Sequence, residues 1–187
     1  GISVLIQEVG SRVLSLTISL VLARFLGSDQ FGRYSFALTF ATVLGAIADL
    51  GVDTIVVREL SRTQTKKSIL LGNAILIKLV LATCGVLLAL FIMLVSSSST
   101  ATKILLLIAS LALFTYAPTG GLGTIFVAVH TVNFARGFVT AVDLIARIVQ
   151  ISAIGLLLLA KSPLWLILLV SVAVQLVATL IVAKRAV

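Results

Sequence analysis

The chain has 187 residues, 60% of them hydrophobic and 11% charged, with a formal net charge of +8 and a mean hydropathy of +1.29. A soluble domain is about 45–50% apolar and about 25% charged, so a water-soluble globule is excluded and the bilayer becomes the solvent to reason with. One cysteine, Cys84, and one histidine, His130, rule out an internal disulfide and leave a metal cluster short of ligands.

A hydrocarbon core of about 30 Å needs about 20 helical residues, and six segments qualify: Ile2–Leu26, Tyr34–Val57, Ile69–Val95, Ile104–Val129, Phe138–Leu159 and Leu164–Ala183. The expected fold is all-α, a polytopic membrane bundle of about six transmembrane helices. Gly1 is not a methionine, which leads to the expectation that the natural start lies upstream. Glu8 and Arg12 interrupt what would be the apolar core of a signal peptide.

The punctuation between spans is readable in chain order. Gly27-Ser28-Asp29 ends the first helix and caps the second. "RELSRTQTKK" at 58–67 reads as a basic loop and "SSSSTATK" at 96–103 as a polar turn. Pro118, followed by Gly120, Gly121 and Gly123, predicts a kink in the fourth span. Lys161-Ser162-Pro163 opens the last helix with proline near its first turn. Gly45, Gly72, Gly85 and Gly155 read as close helix contacts. Short connections make neighbouring helices antiparallel.

Lysine and arginine are retained on the cytoplasmic side. One side collects Arg58, Arg62, Lys66, Lys67, Arg136, Lys184 and Arg185, the other Arg24, Arg33, Lys103 and Lys161, seven against four. Both ends of the segment are therefore expected in the cytoplasm, with the turn at Gly27 facing outward.

Ionisable residues inside the spans cost roughly 2.5–3.5 kcal/mol each at a helix centre and are expected to face a bundle interior or a wet cavity. They are Glu8, Arg12, Asp49, Asp53, Lys78, Asp143 and Arg147. Glu8 with Arg12, and Asp143 with Arg147, stand four apart, so each pair fits an intrahelical ion pair. Arg12, near mid-helix, keeps donors for an anionic ligand. Lys78 is a cavity lysine attracting phosphate or the partner of an acid on another helix. Asp49 and Asp53, one turn apart, need cations, which Arg58 or Arg62 stand close enough in sequence to supply, in a gate-side network or a coupling-ion site. Arg24 and Arg33 flank the outward turn. No catalytic or nucleotide-binding string occurs, so no enzyme activity, cofactor or nucleic-acid partner is expected.

"LARFLGSDQFGRYSFALTFATVLGAIADLGVDTIVVREL", residues 22–60, resembles the first-hairpin signature of the Wzx-type oligosaccharide flippases, the polysaccharide-exporter branch of the multidrug/oligosaccharidyl-lipid/polysaccharide superfamily. The matching elements are Leu22-Ala23-Arg24, Leu26-Gly27, Phe31-Gly32 with Tyr34, Ala48-Asp49-Leu50-Gly51, and Arg58-Glu59-Leu60. The resemblance implies one helical bundle of a two-bundle, MATE-like transporter, here the N-terminal half, completed by a C-terminal half or by a second copy. It further implies alternating access, a cationic cavity and a polyprenyl-pyrophosphate-linked glycan as cargo in the cytoplasmic membrane, with polysaccharide assembly proteins as partners. On that reading Arg12 and Lys78 attract the pyrophosphate, Glu8 orients Arg12, Arg24 lies near the exit, and Asp49 or Asp53 with Arg58 gates the cytoplasmic side. The alternatives are a cation-coupled drug antiporter of the same superfamily, a non-transporting scaffold for polysaccharide assembly, and a membrane-embedded transferase.

Overall fold

The computed structural model describes residues 2–49, 51–62, 67–115, 121–132 and 136–186; within these, the side chains at 2–8, 11, 12, 61, 67, 68, 131, 132, 136 and 186 lie outside the description. Glu8 and Arg12 thus have a described backbone only, and Lys66, Pro118 and Gly120 fall outside the described residues. Among the described residues every regular element is helical.

The first, α1, runs Ile2–Asp49. Forty-eight residues of straight helix would measure about 72 Å, more than twice the hydrocarbon core. The chain avoids this at Gly27, where φ is 73° and ψ 171°. Ser15, Ile18 and Ser19 before the break share the walls of one cavity with Tyr34, Leu38 and Thr42 after it. In a straight helix Ser15 and Thr42 would stand about 40 Å apart, so the break folds α1 into two legs lying back on each other. A Cβ at position 27 would meet nothing within 4 Å; the backbone conformation, not crowding, reserves the position for glycine.

Helix resumes directly after Gly27, so the second leg begins six residues before the expected Tyr34. Its polar first turns are stabilised locally, Arg33 reaching Asp29 at 3.0 Å one turn away. The leg also stops at Asp49 rather than Val57, because Gly51 takes φ 78° and a new helix, α2, starts at Val52 and ends at Arg62. Residues 58–62, expected as loop, are helical because Val52, Val56 and Leu60 recur every fourth residue. Val56 and Leu60 are buried against Ala74 of α3 (Lys67–Val95) and Ile125, Ala128 and Val129 of α5 (Thr124–Val132), leaving Arg58 and Arg62 outside.

The expected kink in the fourth span is a full interruption. Helix α4, Thr100–Ser110, is capped by Ser99, whose hydroxyl accepts from the Thr102 N–H. A 3-10 turn follows at Leu111–Phe114 and the chain is extended at Thr115. Eleven residues of α4 and nine of α5 rise only about 16 Å and 14 Å, too little for either to cross alone. Non-helical backbone at membrane depth must find partners within the protein: the Leu122 N–H donates to the Leu113 carbonyl at 2.8 Å and the Gly123 N–H to that of Thr115 at 3.2 Å. Gly121 makes this approach possible, since a Cβ there would lie 2.3 Å from the Thr115 carbonyl oxygen.

Helices α6 (Arg136–Leu159) and α7 (Leu164–Ala186) are joined by a tight reversal. Lys161 sits at φ 52°; its N–H donates to Leu158 and that of Ser162 to Leu157, the two hydrogen bonds of a Schellman motif, with Pro163 stopping further helix. Helix α7 packs on α6 and α4, α4 on α1, and α2 on α5. Alanine recurs at the buried contacts (Ala37, Ala41, Ala82, Ala89, Ala109), while Leu20, Leu94 and Leu159 face outward, the distribution expected where lipid is the solvent. Gly85 is a close contact, its Cβ position 2.8 Å from Leu113, whereas Gly72 and Gly155 face open space and are not the contacts expected of them. Val13–Asp49, Ile69–Val95, Gly137–Leu159 and Leu164–Arg185 are long and apolar enough to cross a membrane, the first of them as the folded-back pair.

Candidate functional site

Two buried charge centres define the interior. The first is built on Lys78, whose side chain is 1% exposed. Its ammonium lies 2.8 Å from Asp49 Oδ1 and 2.6 Å from Asp53 Oδ1, and donates to Thr124 Oγ1 and to the Gly121 carbonyl at 3.3 Å. Thr124 in turn donates to the same carbonyl at 2.7 Å. Four segments therefore meet on one cation: the end of α1, the first turn of α2, the middle of α3 and the start of α5. An ammonium has three donors and no acceptor, and here it is surrounded by oxygens.

That arrangement corrects two expectations. Lys78 does not look onto a wet cavity; it is enclosed by acids of neighbouring elements, the alternative that its depth in α3 had left open. Asp49 and Asp53 take their cation from Lys78 and not from Arg58, which is exposed and stands 3.9 Å from Glu59. The physical reason is the break at Gly51, which starts α2 afresh and turns Asp53 inward while Arg58 stays on its outer face.

The second centre faces an open-sided cavity of about 270 Å3 lined by both legs of α1, the end of α4, α6 and α7. Arg147, about 16 Å along α6, contributes the charge. Its Nε donates to Asp143 Oδ2 at 3.0 Å, and one terminal nitrogen donates to Ser15 Oγ, also at 3.0 Å. The side chains of Arg147 and Asp143 are 13% and 5% exposed. Around them the walls carry Ser19, Thr42, Thr115, Gln150, Ser171 and Gln175. A guanidinium has five N–H donors in a planar fork, so Asp143 and Ser15 together leave donors to present to the cavity.

Arg147 makes the local pair with Asp143 that their spacing predicts and also lines this cavity, although the resemblance assigned it no role in the cargo path. A signal was available: Asp143, Arg147 and Gln150 recur at helical spacing on α6, as do Ser171 and Gln175 on α7 and Ser15 and Ser19 on α1. Polar stripes in otherwise apolar spans are expected to face one another or a cavity. Arg24 is exposed beside the Gly27 break, and the side chains of Glu8 and Arg12 lie outside the described residues. A larger cavity of about 930 Å3 opens where the Gly27 break, the start of α4 and the α6–α7 reversal come together.

The family model for polysaccharide biosynthesis proteins matches residues 1–185. It covers nearly the whole chain, whereas the resemblance in the sequence rested on residues 22–60. No curated protein and no solved structure matches the chain.

Proposed function

Because the chain belongs to the polysaccharide biosynthesis protein family, whose members are polysaccharide exporters and flippases rather than enzymes, we propose that it moves a lipid-linked oligosaccharide across the cytoplasmic membrane. The two legs of α1, then α3, the interrupted α4–α5 pair, α6 and α7 make six crossings with both ends in the cytoplasm. The bundle works with a second one, a C-terminal half or another copy, by alternating access, and polysaccharide assembly proteins deliver and receive the cargo.

The observation that carries this reading is Arg147, a cation held near the middle of α6 on the wall of a cavity whose largely apolar lining also carries Ser19, Thr42, Gln150, Ser171 and Gln175. A buried guanidinium at that depth costs about 2.5–3.5 kcal/mol on insertion scales, and one carboxylate plus one hydroxyl leaves its fork incompletely used. The diphosphate of a polyprenyl carrier supplies acceptor oxygens in matching planar geometry. Arg12, three residues before Ser15 on the same leg, is the second cation of the path, and Arg24 is placed at its outward end. The cluster of Lys78, Asp49 and Asp53 holds the cytoplasmic side together and does not bind cargo.

The test is glycan export in cells whose own transporter has been removed, with the full chain supplied on a plasmid. Arg147→Gln should lower export roughly tenfold or more, the loss of one charged hydrogen bond, at unchanged membrane level. The double variant Asp143→Asn/Arg147→Gln, which removes the carboxylate charge together with the guanidinium, should fail equally. Undiminished export by the double variant would sink the proposal.

A further inference from the structure

The larger cavity, about 930 Å3, is unlike the one at Arg147. It lies at the ends of helices long enough to cross the membrane, which places it at the depth of lipid headgroups. Its rim carries Asp29, Arg33 and Lys161, and its walls are apolar, with Phe25, Leu159 and Trp165 among them. These three are 61%, 76% and 44% exposed, so the walls run continuously into the lipid-facing surface and the cavity is open to a bilayer lipid from the side.

The charges on the rim do not cancel. Asp29 is paired with Arg33, and among the described residues no carboxylate pairs with Lys161, leaving one net positive charge. Lys161 also occupies a left-handed backbone position, φ 52°, where helix ends favour glycine. Keeping a lysine there costs free energy that a glycine would not, and strained residues of this kind concentrate where a ligand is gripped.

We infer that this cavity is a binding site for one anionic glycerophospholipid, its phosphate held between Lys161 and Arg33 and its acyl chains lying against Phe25, Leu159 and Trp165. A phosphodiester headgroup with one negative charge matches the single uncompensated cation. The site is independent of the cargo path proposed above: it shares neither residues nor cavity with Arg147.

Trp165 is the only tryptophan in the chain, so its fluorescence reports this cavity alone. The full protein is placed in phosphatidylcholine nanodiscs containing a minor fraction of lipid brominated on its acyl chains. Brominated phosphatidylglycerol should be preferred over brominated phosphatidylcholine as a quencher by about fivefold, the effect of one cation near the surface. The preference should fall towards unity in Lys161→Gln, and also in Lys161→Gly, which suits the backbone at that position and so does not threaten folding. Equal quenching by the two lipids, a preference that survives in both variants, or displacement of phosphatidylglycerol by polyprenyl phosphate at stoichiometric amounts would each overturn the assignment.

Discussion

The ammonium of Lys78 lies 2.6 Å from the carboxylate of Asp53, joining the middle of α3 to the first turn of α2. The same ammonium reaches Asp49 before the Gly51 break and Thr124 after the interruption of the fourth span. One lysine therefore fastens two of the places where the helical backbone is discontinuous and where hydrogen bonds within a helix cannot supply order.

Removing that lysine should unfold the half of the bundle around α2 and α5 before it affects anything else. Lys78→Met leaves two part-buried carboxylates, each with one oxygen sealed from solvent, without this counter-charge and should cost about 2–3 kcal/mol, somewhat less than a fully buried broken pair. The triple variant Lys78→Met/Asp49→Asn/Asp53→Asn should recover most of the loss, whereas Arg58→Gln should change stability by no more than about 0.5 kcal/mol. Thermal unfolding in detergent checks all three, and a wild-type melting curve for Lys78→Met would show that the cluster does not hold the fold.

Two glycines should respond differently to the same change. Gly27→Ala meets open space and is opposed only by its backbone, about 1–3 kcal/mol for an L-residue held in the region near φ 73°, ψ 171° that glycine alone adopts readily. Gly121→Ala drives a Cβ to 2.3 Å and 2.9 Å from the carbonyl oxygens of Thr115 and Leu113, the acceptors of the Gly123 and Leu122 hydrogen bonds. Overpacking against fixed backbone should cost about 3 kcal/mol. Denaturation of the two variants side by side should rank Gly121→Ala as the more damaging, and the opposite order would refute the account of the interruption.

Lys161→Gly should make the protein more stable while making it a poorer binder of anionic lipid. Relief of the left-handed conformation should contribute about 1 kcal/mol, seen as a higher melting temperature in neutral detergent. A lower melting temperature there would mean that Lys161 contributes to the fold itself and is not held against backbone preference.

The parts of this protein legible in its sequence are those set within a few neighbouring residues. Span-length apolar runs in Ile69–Val95, Leu164–Ala183 and the segment ending at Leu159 follow from the thickness of a bilayer. The reversals at Gly27 and Lys161-Ser162-Pro163 follow from local backbone chemistry, and the Asp143–Arg147 pair from one helical turn. The family signature, too, lies within a single hairpin.

What the tertiary structure decided is which of the distant charges meet. Lys78 and Asp49 are 29 residues apart in sequence and Arg147 and Ser15 are 132 apart, and no periodicity connects such positions. The sequence determined that buried cations must have partners, because hydrocarbon leaves a charge no alternative. Only the packing of α1, α2, α3 and α5 around one point determined that Lys78 is enclosed by two acids, a hydroxyl and a carbonyl, while the packing of α1, α6 and α7 left Arg147 on a cavity wall. Helix contacts between apolar surfaces are made by shape, and shape is a property of the assembled bundle rather than of any one segment.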